Sequence, residues 1–269
     1  MDVDRVLRRN NVRFAGPQQG PVVMLAHGFG CDQNLWRLVA RRLSTAYRVV
    51  LFDHVGSGAA DPAAWNPQRY GSLAGYVDDI LDIVSALDLR DVTFIGHSVA
   101  AMMGVLSANR DRERFAKLIL VAPSPRYIDD DEGYRGGFSR RDIDELLDSL
   151  ESNYLGWSRS MAPVIMGAPD RPELSDELRE SFCRTDPECA RVFARTTFLS
   201  DNRTDLQEVA VPTLVIDCAY DAIAPREVGQ YVLEQIPACE LVTVDTDGHC
   251  PQLSAPDATA EAIVAFLQR

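Results

Sequence analysis

The chain is nearly without amines: Lys117 is its only lysine, and arginine supplies the rest of its basic residues. Lys117 opens an apolar, strand-like run, so chemistry through a lysine Schiff base has no free amine to use. Histidine is scarce too, with four in 269 residues and none at H-x-x-x-H spacing. The six cysteines form no C-x-x-C pair, so a zinc site is not expected, and neither is any other metal or cofactor. Cys31, Cys183, Cys189, Cys218, Cys239 and Cys250 read as free thiols, since nothing in their spacing suggests a disulfide framework. No apolar run approaches the roughly 20 residues that span a bilayer. The first residues, MDVDRVLRRNNVRF, lack the apolar stretch of a secretory signal, which predicts a cytoplasmic location. Positive charge is in deficit, at a net −13, and polyanions such as nucleic acids and anionic membranes would be repelled. The one dense acidic run, Asp129 to Glu132, reads as a solvated loop.

What is present is a pattern. Short apolar runs at 22–26, 48–52, 92–95, 117–121, 213–216 and 240–244 alternate with helical periodicity at 32–44, 73–87, 99–109, 227–235 and 258–267. Nearly continuous apolar strands between helices predict an α/β fold, with a mostly parallel sheet covered by helices on both faces. Between about 124 and 205 the rhythm changes to four helical stretches, 140–152, 154–165, 172–184 and 187–200, with no convincing strand. Ser139, three residues before Asp142, reads as a capping-box start for the first of them. The expected organisation is a core of 1–123 and 206–269 with a four-helix lid, 124–205, inserted into it.

In open α/β sheets ligands bind beyond the carboxyl ends of the strands, so the residues just after each strand carry the chemistry. They are His27-Gly28-Phe29-Gly30, Gly96-His97-Ser98, Asp217 with Asp221, and Gly248-His249. A serine hydroxyl is a weak nucleophile unless an imidazole takes its proton, and a carboxylate must orient that imidazole. Ser98, Asp221 and His249 supply these roles, in the chain order of the α/β-hydrolases. The negative oxygen formed on attack needs preorganised N–H donors, and the backbone amides of Phe29 and Val99 are placed to provide them. Asp217 is a rival acid but falls at the end of a buried strand, while Asp245 and Asp247 stand too close to His249 along the chain. The elbow reads G-H-S-V-A, with Ala100 where the usual pattern has glycine. His97 is expected to pack beside the elbow, His27 to brace the glycine-rich loop, and His54 to be structural. Cys250 has no base of its own and is taken as a neighbour.

The runs HGFGCDQNLW (27–36), VLFDHVGSG (50–58), GHSVAAMMG (96–104), FCRTDP (182–187), FLSDNR (198–203) and GHCPQLSAP (248–256), with SPRYIDD and GGF between 124 and 138, resemble the RsbQ family. These are bacterial α/β-hydrolases similar to the plant strigolactone and karrikin receptors. The resemblance implies Ser98, Asp221 and His249 as the triad, Phe29 and Val99 as oxyanion donors, and a four-helix lid over a mostly apolar pocket. It also implies hydrolysis of a small hydrophobic ester- or lactone-like compound, coupled to stress signalling through a PAS-domain phosphatase. Beside it, the lid residues Phe138, Trp157, Met161, Phe193 and Phe198 are candidate pocket walls, as is Phe29, whose loop must sit over Ser98. Two other functions fit the same residues: a ligand receptor or adaptor with slow turnover, and carbon–carbon bond hydrolysis or perhydrolysis on the same scaffold. A dehalogenase does not fit, because its nucleophile would be aspartate.

Overall fold

A computed structural model describes residues 2–269. The chain forms, in order, α1 (Val3–Arg9), β1 (Arg13–Ala15), β2 (Val22–Ala26), α2 (Arg37–Leu43), β3 (Arg48–Leu51), α3 (Pro67–Tyr70), α4 (Leu73–Ala86), β4 (Val92–His97), α5 (Val99–Arg110) and β5 (Phe115–Val121). Four helices follow: α6 (Arg140–Ser152), α7 (Tyr154–Met166), α8 (Pro172–Arg184) and α9 (Pro187–Phe198). The chain closes with β6 (Thr213–Tyr220), α10 (Arg226–Gln235), β7 (Cys239–Asp247), α11 (Pro251–Ser254) and α12 (Pro256–Leu267). No helix among the described residues is long and apolar enough to cross a membrane.

The strands make one sheet in the order β1-β3-β2-β4-β5-β6-β7. Among the strands of the described residues only β1 runs antiparallel, against β3; every other strand pairing in the sheet is parallel. This is the expected α/β class, and its physical basis is plain in β4, every residue of which is buried. Successive side chains point to opposite faces: Phe94 joins a core with α4 and α5, while Ile95 joins one with Trp36, α2 and α12. β7 at the edge is mostly exposed or half-buried instead, with Val244 alone in it buried.

Helices α6 to α9 lie between β5 and β6 in the chain. Their apolar sides, through Tyr154, Trp157, Phe182 and Phe198, share a separate cluster with Cys31, Ile223 and Cys250 from loops of the sheet edge and Leu253 of α11. α6 starts on the expected capping box: Ser139 Oγ accepts from the amide of Asp142, and the Asp142 carboxylate accepts from that of Ser139 at 2.8 Å. A shorter Asp does here what Glu usually does. The two ends of this segment are stitched together. The Asn202 amide donates to the Pro125 carbonyl at 2.8 Å, and Arg203 bonds both Asp201 and Asp130.

Candidate active site

Ser98 sits where β4 turns into α5, with φ +57° and ψ −126°. That conformation strains a residue bearing a Cβ, and it lifts the hydroxyl out of the strand. His249 follows β7, and Asp221 follows β6. The three meet: Ser98 Oγ donates to His249 Nε2 at 2.8 Å, and His249 Nδ1 donates to Asp221 Oδ2 at 2.7 Å. The other carboxylate oxygen, Oδ1, accepts from the amides of Ile223 and Ala224 at 2.8 and 3.1 Å. Burial opposes ionisation of Asp221, but the neighbouring His249 and these N–H groups outweigh it and hold its carboxyl below the usual range. A fixed anion therefore orients an imidazole whose free nitrogen faces a hydroxyl, and the set can pass a proton out of that hydroxyl. The rival acid, Asp217, is buried within β6 beneath α10 and does not touch His249.

The backbone amides of Phe29 and Val99 have no acceptor among the described residues. Gly28 brings the Phe29 loop down onto the elbow, so that a Cβ at Gly28 would stand 3.0 Å from Ser98 Cβ. Two histidines behind the loop fix it. The His54 amide donates to His27 Nε2 at 3.1 Å, and His54 Nε2 donates to the His27 carbonyl at 2.9 Å. Because His27 Nε2 accepts, its proton sits on Nδ1, which donates to the Gly28 carbonyl at 2.9 Å. Burial keeps both rings neutral, with His54 well below its ordinary pKa. Asp53 pins the start of the next turn, accepting from the Gln33 amide at 2.8 Å and the Ala59 amide at 2.9 Å.

Ser98 and His249 open into a small, narrow cavity with almost wholly apolar walls. Trp157, Met161 and Phe198 line it, as does Phe29, which packs edge-on to Trp157 and Phe198. Phe193 stands outside, behind Phe29, stacked on Tyr76 at 4.6 Å. Phe138 is also outside, in the approach to α6, where it packs on the helical cluster. Cys31 and Cys250 line the cavity as thiols that burial pushes upward in pKa, and none of the six cysteines is paired.

Tyr127 escapes the sequence reading. Its hydroxyl lies 3.3 Å from Ser98 Oγ inside the cavity, and burial raises its pKa to about 12, so it stays a neutral phenol. The signal was its place in the chain, since it follows β5 at the carboxyl edge that also holds Ser98, Asp221 and His249.

A parallel sheet of this order, with a serine elbow and a histidine–aspartate pair at its carboxyl edge, defines an α/β hydrolase. Residues 22–262 match the model of the alpha/beta hydrolase family, and the chain belongs to that family and is a hydrolase. It is 38% identical over 270 aligned residues to strigolactone esterase D14 of Arabidopsis thaliana, covering 100% of both proteins. To karrikin insensitive 2 receptor CA of Petunia hybrida it is 34% identical over 259 residues, covering 96% of this chain and 95% of that one. Its backbone matches a hydrolase from Oleispira antarctica with a TM-score of 0.97 and 39% identity, over 100% of this chain and 98% of the other.

Proposed function

We propose that this chain is a serine hydrolase of small hydrophobic esters or lactones, with Ser98 as nucleophile, His249 as general base and acid, and Asp221 as the orienting carboxylate. The observation that carries the reading is the unbroken hydrogen-bond chain from Asp221 through His249 to Ser98, opening into an apolar cavity. Ser98 Oγ attacks the carbonyl carbon while its proton passes to His249 Nε2. The tetrahedral oxyanion is held by the amides of Phe29 and Val99, a contribution worth about 10²–10³ in rate per donor. His249 then protonates the leaving alkoxide, freeing an alcohol, or the open end of a lactone, and leaving an acyl-Ser98 ester. Water, deprotonated by the same imidazole, hydrolyses that ester and regenerates the serine. Apolar walls with few polar groups suit a small hydrophobic substrate. In this reading residues 124–205 form a lid over a core of 1–123 and 206–269.

The likeness to a karrikin receptor supports a second reading, in which binding is the output and turnover is slow. The sequence resemblance to the RsbQ family, through FGCDQ and GHCP, supports a cytoplasmic protein whose ligand-dependent state is read by a PAS-domain phosphatase.

Incubation with p-nitrophenyl acetate tests the first reading. The wild type should give an acyl burst or turnover, with a mass increase of one acetyl on Ser98, and Ser98→Ala should give neither. Equal reaction of the two proteins would overturn it. Pull-down with a PAS-domain phosphatase, with and without substitutions on the outer faces of α6 to α9, tests the signalling arm, which fails if no complex forms under any ligand condition.

A further inference from the structure

The histidine that precedes the nucleophile is tied to the histidine that follows β7. His97 Nε2 lies 2.7 Å from the backbone carbonyl oxygen of His249, and the two rings are 5.0 Å apart. A carbonyl can only accept, so His97 carries its proton on Nε2 and leaves Nδ1 bare. That nitrogen is buried without a partner, and it faces Gly28 so closely that a Cβ there would lie 2.9 Å from it. Burial, and then the neighbouring His249, push the His97 pKa down to about 3. The ring is a neutral wedge in one tautomer, with the glycine-rich loop on one side and the peptide of His249 on the other.

The tether spans a real gap in the fold. Ser98 is carried by β4 and His249 follows β7, with β5 and β6 lying between those strands. Residues 248–250 form a turn of their own, outside strand and helix. The amide of His249 is held from above by the Ile165 carbonyl of α7, at 2.7 Å. Its carbonyl is held from below by His97 alone among the described residues. Since His97 is covalently joined to Ser98, this bond sets the separation of nucleophile and base across two intervening strands. A misplacement of about 1 Å at such a pair costs on the order of 10² in rate.

We propose that His97 is a positioning residue for the reaction at Ser98, holding the His249 peptide so that Nε2 meets the serine hydroxyl. The proposal rests on the reading of Ser98 and His249 as nucleophile and base. The test compares wild type, His97→Leu, His97→Gln, His97→Asn and Ser98→Ala, measuring kcat and KM for p-nitrophenyl acetate, the rate of Ser98 labelling by a fluorophosphonate, and the melting temperature. Gln places an amide N–H near the position of Nε2, whereas Asn falls short and Leu offers no donor. Leu and Asn should lower kcat and labelling about 10–100-fold with KM within about twofold, and Gln should return both to within about fivefold of wild type. Asn keeps a polar side chain of smaller size, so the comparison survives if Leu fails to fold. Gln as slow as Asn, or Leu or Asn as fast as wild type, would overturn the proposal alone. Wild type and Ser98→Ala reacting alike would overturn both the proposal and the reading beneath it.

Discussion

The phenol of Tyr127 stands 3.3 Å from the hydroxyl of Ser98, and among the described residues it is the one polar side chain besides His249 to reach that oxygen. With its proton retained by burial, Tyr127 donates to a serine lone pair while the serine proton points to His249. A contact of this length favours one serine rotamer at no cost in charge. A neutral hydrogen bond is worth about 0.5–1.5 kcal/mol net, which converts to a two- to tenfold effect. Tyr127→Phe should therefore fold as wild type and lose about two- to tenfold in kcat/KM for p-nitrophenyl acetate. An unchanged kcat/KM in a folded Phe variant would show that the phenol does not set the serine rotamer.

The elbow itself stores energy. Ser98, at φ +57° and ψ −126°, occupies backbone space that costs a residue with a Cβ about 1–3 kcal/mol. Ser98→Gly and Ser98→Ala both remove the hydroxyl, but only Gly relieves the strain. At an ordinary position Ala would be the more stable of the two. Here Gly should exceed Ala by about 1 kcal/mol, a difference of roughly 2 °C in melting temperature for a chain of this size. Differential scanning calorimetry of the two hydroxyl-free variants decides it, and the opposite order would mean the elbow is unstrained.

How far the sequence reveals this molecule depends on burial. The parallel strands are legible because both faces are covered, and continuous apolar runs follow from that. β1 and α1 are not. Arg13–Ala15 is a short, largely exposed edge, and Val3–Arg9 buries only Val6, so neither carries a periodic pattern. β6 continues to Tyr220, past the apolar run that ends at Ile216, because polar Asp217 is tolerated under α10. At the site, Ser98, Asp221 and His249 are legible from their place after three strands. Tyr127 depends on how the segment after β5 folds back over the elbow, which no local pattern encodes. Phe193 and Phe198 both lie on α9, five residues and therefore about 140° apart. Helical spacing alone leaves open which of them meets the cavity, and the packing of Tyr76 against Phe193 decides it.

Three buried histidines set the response to acid. His27, His54 and His97 all have folded pKa values below their ordinary 6.5, with His97 near 3. Between those values the unfolded chain binds more protons than the folded one, so stability falls as pH drops through 6.5 and keeps falling toward 3. For His97 alone the loss between neutrality and pH 5 is about 2 kcal/mol, and the other two add in the same direction. Asp221 acts in a lower window: its depressed folded pKa contributes stability above 3.8 that is lost only as pH falls further. Asp79, Asp205 and Asp217, whose carboxyls burial raises in pKa, work in the opposite direction, so the His97 contribution is read as a difference between proteins. Urea unfolding at pH 7.5 and pH 5.0 should show a loss about 2 kcal/mol larger in wild type than in His97→Gln, and equal losses in the two proteins would mean that the His97 ring protonates without penalty.

The seam between α7 and the His249 turn offers a test of whether those helices tune the chemistry. Gly248 has φ +89°, and a Cβ there would lie 1.9 Å from the Met166 carbonyl oxygen. The next amide, of His249, donates to Ile165 in the same final turn of α7. A methyl at 248 has nowhere to go without parting the helix end from the turn, and the left-handed backbone adds its own strain. Parting them releases the His249 amide and with it one of the two bonds that hold its peptide. Gly248→Ala should therefore lower kcat at least tenfold, at a substrate concentration that saturates the wild type. Stability should fall by about 2–4 kcal/mol, as expected for overpacking joined to a disfavoured φ. The informative comparison is with a variant that strains the fold away from this seam: Gly16→Ala, whose Cβ would meet the Tyr47 carbonyl at 2.2 Å at φ +79°, should cost similar stability and leave kcat near wild type. If both variants lose activity in proportion to stability, the helices cover the cavity without steadying His249.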